Sequence, residues 1–128
     1  MTLAEIKAEV MFQTNNDIED INDYEPYIVD YVNAGYEILV NAYTDMHVGS
    51  GAGEIAPLVN PEDIPALPEY AHHGIVDYAT YLVYRNGNSV KQNRGMPFYS
   101  AFAELIPKLK YEKNGNRNAR SFINIYTR

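Results

Sequence analysis

Cysteine, tryptophan and long apolar runs are all absent from this chain. Without cysteine, the sequence offers neither a disulfide framework nor a thiolate nucleophile, which fits a reducing environment. No run approaches the roughly 18–20 apolar residues that a membrane span requires, and residues 1–5 show no basic start followed by an apolar core. We therefore expect no membrane helix and no signal peptide. At 128 residues and 46% hydrophobic content, the chain should form one globular domain.

Tyrosine is the main aromatic residue, with twelve copies beside four phenylalanines. Its large apolar ring carries a hydroxyl that tolerates water, which suits helix margins and contacts between subunits. Ordinary amphipathic packing is the alternative, and it accounts for most of these positions.

Charged residues are sorted along the chain. Residues 1–84 contain fifteen acids and one base, Lys7, whereas residues 85–128 contain nine Lys or Arg and two acids. Surfaces of soluble monomers usually mix both signs, so two copies of this chain would attract head to tail and repel when like ends meet. This pattern favours heterologous contacts, which close into rings or grow into filaments. The alternative is an acidic body with a basic C-terminal arm whose charges are only solvated.

Apolar residues recur at helical spacing in four segments. This predicts a mainly α fold, a compact bundle of about four helices with a long loop and an extended C-terminal arm. The first helix follows a capping box formed by Thr2 and Glu5, and the third closes at Asn86-Gly87, which tolerates left-handed backbone angles. The second, third and last helices are expected at about residues 24–45, 68–86 and 89–110.

Glycine and proline mark two features inside these helices. Gly35 lies on the apolar stripe of the second helix, where it costs about 1 kcal/mol relative to alanine. A close approach by another helix would account for it. Gly95 and Pro97 indicate that the last helix either kinks here or begins at Pro97, and Pro107 adds a second bend or an end.

Two segments lie outside the predicted helices. Residues 46–68 form a long connection, and its length indicates a function against a neighbouring molecule. Residues 121–126 have an extended-type pattern without a partner strand in the chain. We expect this end to pair with or dock on another protein; a strand matched to the long loop, or a frayed end, is the alternative. The chain thus divides into a helical domain, residues 1–112, and a docking arm, residues 113–128.

Candidate catalytic groups lack the spacing that their chemistry requires. His73 and Asp77 are four residues apart on the third helix, and His47 would be a third metal ligand. His72 and His73, however, point about 100° apart on a helix, so both cannot easily serve one ion. A serine nucleophile elbow, a phosphate-binding loop and a calcium loop are likewise incomplete. We therefore predict no catalysis, no cofactor and no metal.

Five short segments resemble the head–tail connector proteins of the adaptor type found in tailed phages and prophages. Together they cover most of residues 1–106. They are residues 12–17 (FQTNND), 31–36 (YVNAGY), 67–72 (LPEYAH), 77–88 (DYATYLVYRNGN) and 91–95 (KQNRG).

The resemblance implies a structural virion protein, made in the cytoplasm of the bacterial host and located at the neck, the head–tail interface. About twelve copies would form a ring beneath the portal protein. That ring would extend the DNA channel and receive the next neck or tail component. Such proteins bind no cofactor and no membrane, catalyse nothing, and meet DNA only as passing cargo.

Two sets of residues are candidates for contacts in such an assembly. Those expected to bind the portal or a neighbouring subunit are Arg117, Arg120, Phe122, Ile123, Ile125 and Tyr126. The acids that could face the channel lumen, where a repulsive wall keeps DNA from adhering, are Asp17, Glu19, Asp20 and Asp23.

A small DNA-binding or regulatory protein is the alternative function. Phosphate contacts need clustered Lys and Arg, and only the basic C-terminal third supplies them. The residues that would contact a duplex backbone are Lys91, Arg94, Lys108, Lys110, Arg117 and Arg120. The acidic body and the absence of helix-turn-helix spacing count against this alternative.

Overall fold

The computed structural model describes residues 1–15 and 21–126, with side chains at 1–15 and 24–115. It contains four helices, so the predicted mainly α bundle is confirmed. Apart from these helices, an isolated bridge joins Val48 and Ile55 within the long loop. The helices are α1 (Leu3–Thr14), α2 (Ile21–Thr44), α3 (Glu69–Arg85) and α4 (Ser89–Tyr126).

Helix α3 is the centre of the bundle. It packs against each of the other three helices, whereas α1 and α4 do not contact each other in the described part of the chain. Helices α1 and α4 therefore flank the α2–α3 pair on opposite sides. Neighbouring helices on three sides cover most of the surface of α3, so its buried surface is wider than the single apolar stripe of an ordinary amphipathic helix. Its buried residues are Ala71, His72, Gly74, Ile75, Val76, Ala79, Thr80, Val83 and Tyr84.

Tyrosines join α3 to α4 through a ladder of ring contacts. The ring centroids are 4.6 Å apart for Tyr78–Phe102, 4.9 Å for Tyr81–Tyr99 and 5.9 Å for Tyr84–Phe98. Residue numbers rise along α3 while those of their partners in α4 fall, so the two helices are antiparallel. Such tilted and stacked pairs contribute about 0.5–1.5 kcal/mol each beyond their buried area. For these residues, packing within the chain is the role that the structure gives.

Two glycines allow helices to approach closely. A Cβ added at Gly35 would lie 3.0 Å from the Cβ of Tyr78, so α2 crosses α3 at this point and the predicted close approach is confirmed. A Cβ at Gly95 would lie 2.7 Å from the Cβ of Tyr84, which makes Gly95 the corresponding contact between α4 and α3. The sequence indicated a kink or a helix start at Gly95; packing is the reason for this glycine.

Helix α4 is longer than the sequence predicts. It begins at Ser89 rather than at Pro97, and it continues through Pro97 and Pro107 to Tyr126. The extended arm expected over residues 121–126 is therefore wrong, because their backbone is helical. A helix satisfies its own backbone hydrogen bonds, whereas a strand without a partner leaves them open.

The ends of α2 and α3 also differ from expectation. Helix α2 begins at Ile21, ahead of the predicted residue 24, so Pro26 lies inside it. Helix α3 ends at Arg85 as expected, but Asn86 has φ −81° and the turn uses no left-handed angle. The amide of Asn86 instead fastens the turn to α2, since its Nδ2 donates to the Tyr31 hydroxyl at 2.9 Å.

The long loop, residues 45–68, packs on its own chain, and its expected function against a neighbouring molecule stays a prediction. Asn33 of α2 holds it at Leu58: the Leu58 N–H donates to Asn33 Oδ1 at 2.8 Å, and Asn33 Nδ2 donates to the Leu58 carbonyl at 2.9 Å. Leu58 itself is 3% exposed. Glu37 accepts from the Val48 N–H, and Asn41 Nδ2 donates to the Met46 carbonyl at 3.4 Å. The polar stripe of α2 is thus the surface on which the loop docks.

The same loop reaches the other helices. The Leu3 N–H donates to the Asp63 carbonyl at 2.8 Å, so the loop satisfies a free donor in the first turn of α1. Near its end, the Ala66 N–H donates to the Tyr36 hydroxyl at 2.8 Å. Asp63 accepts from the Val59 and Asn60 N–H groups, which lowers the pKa of its carboxyl. These bonds give the loop one path across the bundle.

Candidate assembly surface

Helix α4 runs past the helices that support it. Along the antiparallel pair, Gly95 lies against Tyr84, and Leu105 lies against Gly74. By Lys108, α4 has reached Tyr70 in the first turn of α3, with Lys108 Nζ 4.3 Å from the ring centroid. Helix α3 begins there and α2 ends at Thr44, so neither helix accompanies α4 any further.

A group of polar contacts fixes α4 where it leaves the bundle. Lys113 Nζ lies 2.6 Å from Asp45 Oδ1, just beyond the end of α2, and Asp45 has a left-handed φ of 64°. The Tyr70 hydroxyl donates to the Glu112 carboxylate. Burial, together with this bond to an anion, raises the pKa of Tyr70 to about 12. Side-chain contacts at Lys113 and Glu112 therefore define where α4 leaves the bundle.

The projecting end of α4, residues 114–126, continues the helix for about 20 Å at 1.5 Å per residue. It contains no acid, and both its charged residues are arginines. The residues expected to bind a partner fall in its last turns, with a helical backbone and with side chains outside those described. They are Arg117, Arg120, Phe122, Ile123, Ile125 and Tyr126.

The acids expected to face a channel lumen lie outside what the structure describes. Asp17, Glu19 and Asp20 belong to the segment 16–20, and Asp23 stands in the first turn of α2 without a described side chain. Their orientation stays a prediction.

Helix α1 carries a second apolar face. Leu3, Ile6 and Val10 are buried against the bundle, as the sequence predicts. Ala4 and Ala8 are exposed on the other side, and Phe12 is 76% exposed. The spacing of these outer residues by four is visible in the sequence, although sequence reasoning did not find it.

An apolar groove of about 350 Å³ lies beside this outer face, and we call it the α1–α2 groove. Its two walls are α1 and the first turns of α2, and the long loop closes one end. Lys7 Nζ and Glu25 Oε1 approach to 3.8 Å across it. The lining residues are Leu3, Ala4, Lys7, Ala8, Met11, Glu25, Val29, Val59 and Pro61.

The groove lies in the most acidic part of the sequence. Residues 1–30 contain eight acids and one base, Lys7. Lys7 forms an ion pair with Glu25. Another acid, Glu62, directly follows the loop residues that line the groove. The groove is apolar inside, and the α1 and α2 segments that form its walls belong to an acidic part of the sequence.

The histidines considered for a metal site are held apart. His47 Nδ1 bonds to Glu37 Oε1 at 2.6 Å, which raises the pKa of His47. His72 accepts from the Met1 amine at Nδ1 at 2.8 Å and donates from Nε2 to the Leu67 carbonyl at 3.0 Å, which fixes its tautomer. His73 and Asp77 do meet, at 3.6 Å. Within the described residues, no three such side chains are placed to bind a metal together.

Asp77 has a perturbed pKa. Burial raises this pKa, and the neighbouring His73 partly opposes that rise. One half-buried carboxylate beside one histidine is a common arrangement at a helix surface, and no metal-binding group of three such side chains forms within the described residues. The pair supplies no reason to assign chemistry.

The basic third of the chain is partly engaged within the molecule. Lys113 is paired with Asp45, and Lys108 lies over the Tyr70 ring. Cations already neutralised or stacked contribute less to phosphate binding. The nucleic-acid alternative therefore depends on Lys91, Arg94, Lys110 and the arginines of the projecting end.

None of the helices in the described ranges is both long and apolar enough to cross a membrane. No protein-family model, no curated protein and no solved structure matches this chain.

Proposed function

We propose that this chain is a structural virion protein, a head–tail connector of the adaptor type. In this proposal its copies form a ring between the portal protein and the next neck or tail component, and the ring extends the DNA channel. The observation that carries the proposal is the basic helical end of α4, which projects about 20 Å beyond an acidic bundle. Projection and opposite charge together favour contacts between unlike surfaces of neighbouring molecules.

Several segments that carry the resemblance have clear positions in the bundle. Gly35, in the segment 31–36, is where α2 crosses α3. Residues 67–72 lead into α3, and residues 77–88 hold the ring ladder and the turn into α4. These residues set helix crossings and turns. They therefore support a bundle like that of the connector proteins, and the identity of the binding partner needs a separate test.

The proposed role is assembly without catalysis or a cofactor. The protein would act at the virion neck, where its partners are the portal, sister subunits and the next neck or tail protein. DNA would pass as cargo. An acidic wall repels the phosphate backbone and keeps it from adhering, so the sign of the body suits a channel.

Deletion of residues 114–128 tests the proposal. The cut follows Lys113, because its ion pair with Asp45 belongs to the bundle. We expect a folded helical protein with an unchanged unfolding midpoint that no longer supports head–tail joining. In cells that produce the truncated form, electron microscopy should show heads without attached tails, whereas the full-length chain should restore joined particles.

Two outcomes would contradict the connector proposal. Normal head–tail joining by the truncated protein would exclude the projecting end from assembly. Joining that is unaffected by loss of the whole gene, together with binding of the purified protein to random duplex DNA that falls steeply with salt, would favour the nucleic-acid alternative.

A further inference from the structure

The α1–α2 groove and helix α4 lie on opposite flanks of the bundle. The α1–α2 groove lies on the flank formed by α1. Helix α4 forms the other flank, and α1 and α4 are not in contact. An apolar groove next to a largely exposed Phe12 is typical of a surface that another molecule covers.

The projecting end of α4 has the register of a groove-binding helix. Ala119, Phe122, Ile123 and Tyr126 are spaced i, i+3, i+4 and i+7, so a helical backbone places them on one face. Amphipathic helices bind apolar grooves through anchors at this spacing. Arg117 and Arg120 fall outside that set and give this end of the chain its positive charge.

We infer that the α1–α2 groove of one copy binds the projecting end of α4 from a second copy. This inference rests on the proposed function, for which it names the contact between sister subunits. Charge selects the occupant: residues 113–128 carry four bases and no acid, whereas residues 1–30 carry eight acids and one base. Opposite charges around an apolar contact steer association and fix its register.

The occupant comes from another molecule because of the way α4 leaves its own bundle. Contacts at Tyr70 and Asp45 fix that exit, and the backbone continues as a helix through residues 114–126. To reach its own groove, the chain would have to break this helix and cross the α2–α3 pair. Groove and helix end are different surfaces, so the contact is heterologous and repeats from copy to copy until the ring closes.

The absence of cysteine makes a direct test possible. Two single-cysteine variants, Ala8→Cys in the groove and Ala119→Cys in the projecting end, are purified as full-length chains and mixed under mild oxidation. Disulfides form only when the two Cα atoms come within about 7 Å. We expect the mixed dimer to form at least about tenfold faster than with Ala101→Cys, because binding raises the effective concentration. Ala101 is an equally exposed alanine on α4 and is the matched control.

A charge reversal sharpens this test. Glu25→Lys on the Ala8→Cys chain should slow the cross-link several-fold, because it replaces a negative charge in the groove by a positive one and the approaching helix end is basic. Glu104→Lys makes the same change at an exposed site on α4 and should leave the rate unchanged. Equal rates for Ala8→Cys and Ala101→Cys, or no difference between the two charge reversals, would overturn the inference.

The cross-link and the particle experiment fail separately. Specific cross-linking by a protein whose loss leaves head–tail joining intact would support the groove contact and refute the connector. Joining that needs residues 114–128 without specific cross-linking would refute the groove contact and retain the connector. In that case the projecting end binds the portal instead.

Discussion

The long loop and the projecting end of α4 are opposites in how they are held. Residues 45–68 contain no helix, yet Asn33, Glu37 and Tyr36 fasten their backbone at separate points. Residues 114–126 are regular helix, yet the last described contact between α4 and the bundle is at Lys113. The loop is fixed by side chains of another element, whereas the described side chains anchor α4 to the bundle no further along than Lys113.

This contrast separates regular secondary structure from tertiary attachment. Helical hydrogen bonds join residues four apart, so a helix can extend beyond the molecule that supports it. The stability of a helix in a protein comes mainly from packing of its apolar face against other elements. A helix that extends beyond its packing partners can therefore offer its end to another molecule, whereas the backbone of the loop is already engaged at its anchors within the chain.

The largest expected effect separates the packed and projecting parts of α4. Gly95→Ala places a Cβ 2.7 Å from that of Tyr84, which is 2% exposed, so α3 and α4 must move apart. We expect a loss of about 2 kcal/mol in the free energy of unfolding, measured by urea denaturation.

Gly115→Ala is the matched control, since a Cβ there meets nothing within 4 Å. It should raise the free energy of unfolding by up to about 1 kcal/mol, the difference in helix propensity. Equal effects of the two substitutions would show that α4 is held alike along its length.

A smaller effect tests the attachment of the loop. Asn33→Ala removes both bonds to the Leu58 backbone and leaves a partly buried N–H and C=O without their partner. We expect a loss of about 1–2 kcal/mol and faster proteolytic cleavage between residues 45 and 68. Asn41→Ala removes one long, exposed bond and should change the free energy of unfolding by less than about 0.5 kcal/mol. Cleavage at the wild-type rate in Asn33→Ala would mean that other contacts hold the loop.

The smallest effect is a pH dependence at the start of the loop. The Val48 N–H is the main cause that lowers the pKa of Glu37 below 4.5, and Glu37 raises the pKa of His47 above 6.5. The stability that ionised Glu37 contributes to the folded state is present above pH 4.5 and is lost as pH falls through its lowered pKa. The stability that protonated His47 contributes is present below pH 6.5 and is lost as pH rises through its raised pKa. Both groups therefore hold the loop between pH 4.5 and 6.5.

An NMR titration of the His47 ring checks this assignment. Glu37→Gln should bring the pKa of His47 down towards 6.5, and the amide proton of Val48 should exchange faster with solvent. Glu62→Gln removes an exposed loop acid outside these contacts and serves as the control. An unchanged His47 titration in Glu37→Gln would show that the ion pair does not hold the loop.

Much of the bundle was predictable because its signals are local. The capping box of Thr2 and Glu5 depends on residues three apart, and both of its bonds are present. The inward residues of α4 follow helical spacing, with Phe102 and Leu109 buried and Phe98 and Leu105 partly buried. Gly35 marked a crossing because a glycine inside an apolar stripe has a cost that packing must offset.

The parts that failed depend on contacts distant in sequence. Nothing along α2 predicts that the loop docks on its polar side, because the groups that meet there are 25 residues apart in sequence. The apolar pattern at 121–126 suited a strand as well as a helix, since short apolar segments do not separate the two. The α1–α2 groove forms only when α2 and the loop pack beside α1, so no local pattern in the sequence predicts it.

By itself, the sequence determined the helical class, the first cap, the crossing at Gly35 and the separation of acidic from basic residues. These follow from spacing along one chain and from the charges that it carries. Only the tertiary structure decided that α3 is surrounded by the other helices, that the loop crosses the bundle on one path, and that α4 leaves it at Lys113. Those features depend on which surfaces meet, and burial and hydrogen bonding between distant residues set that choice.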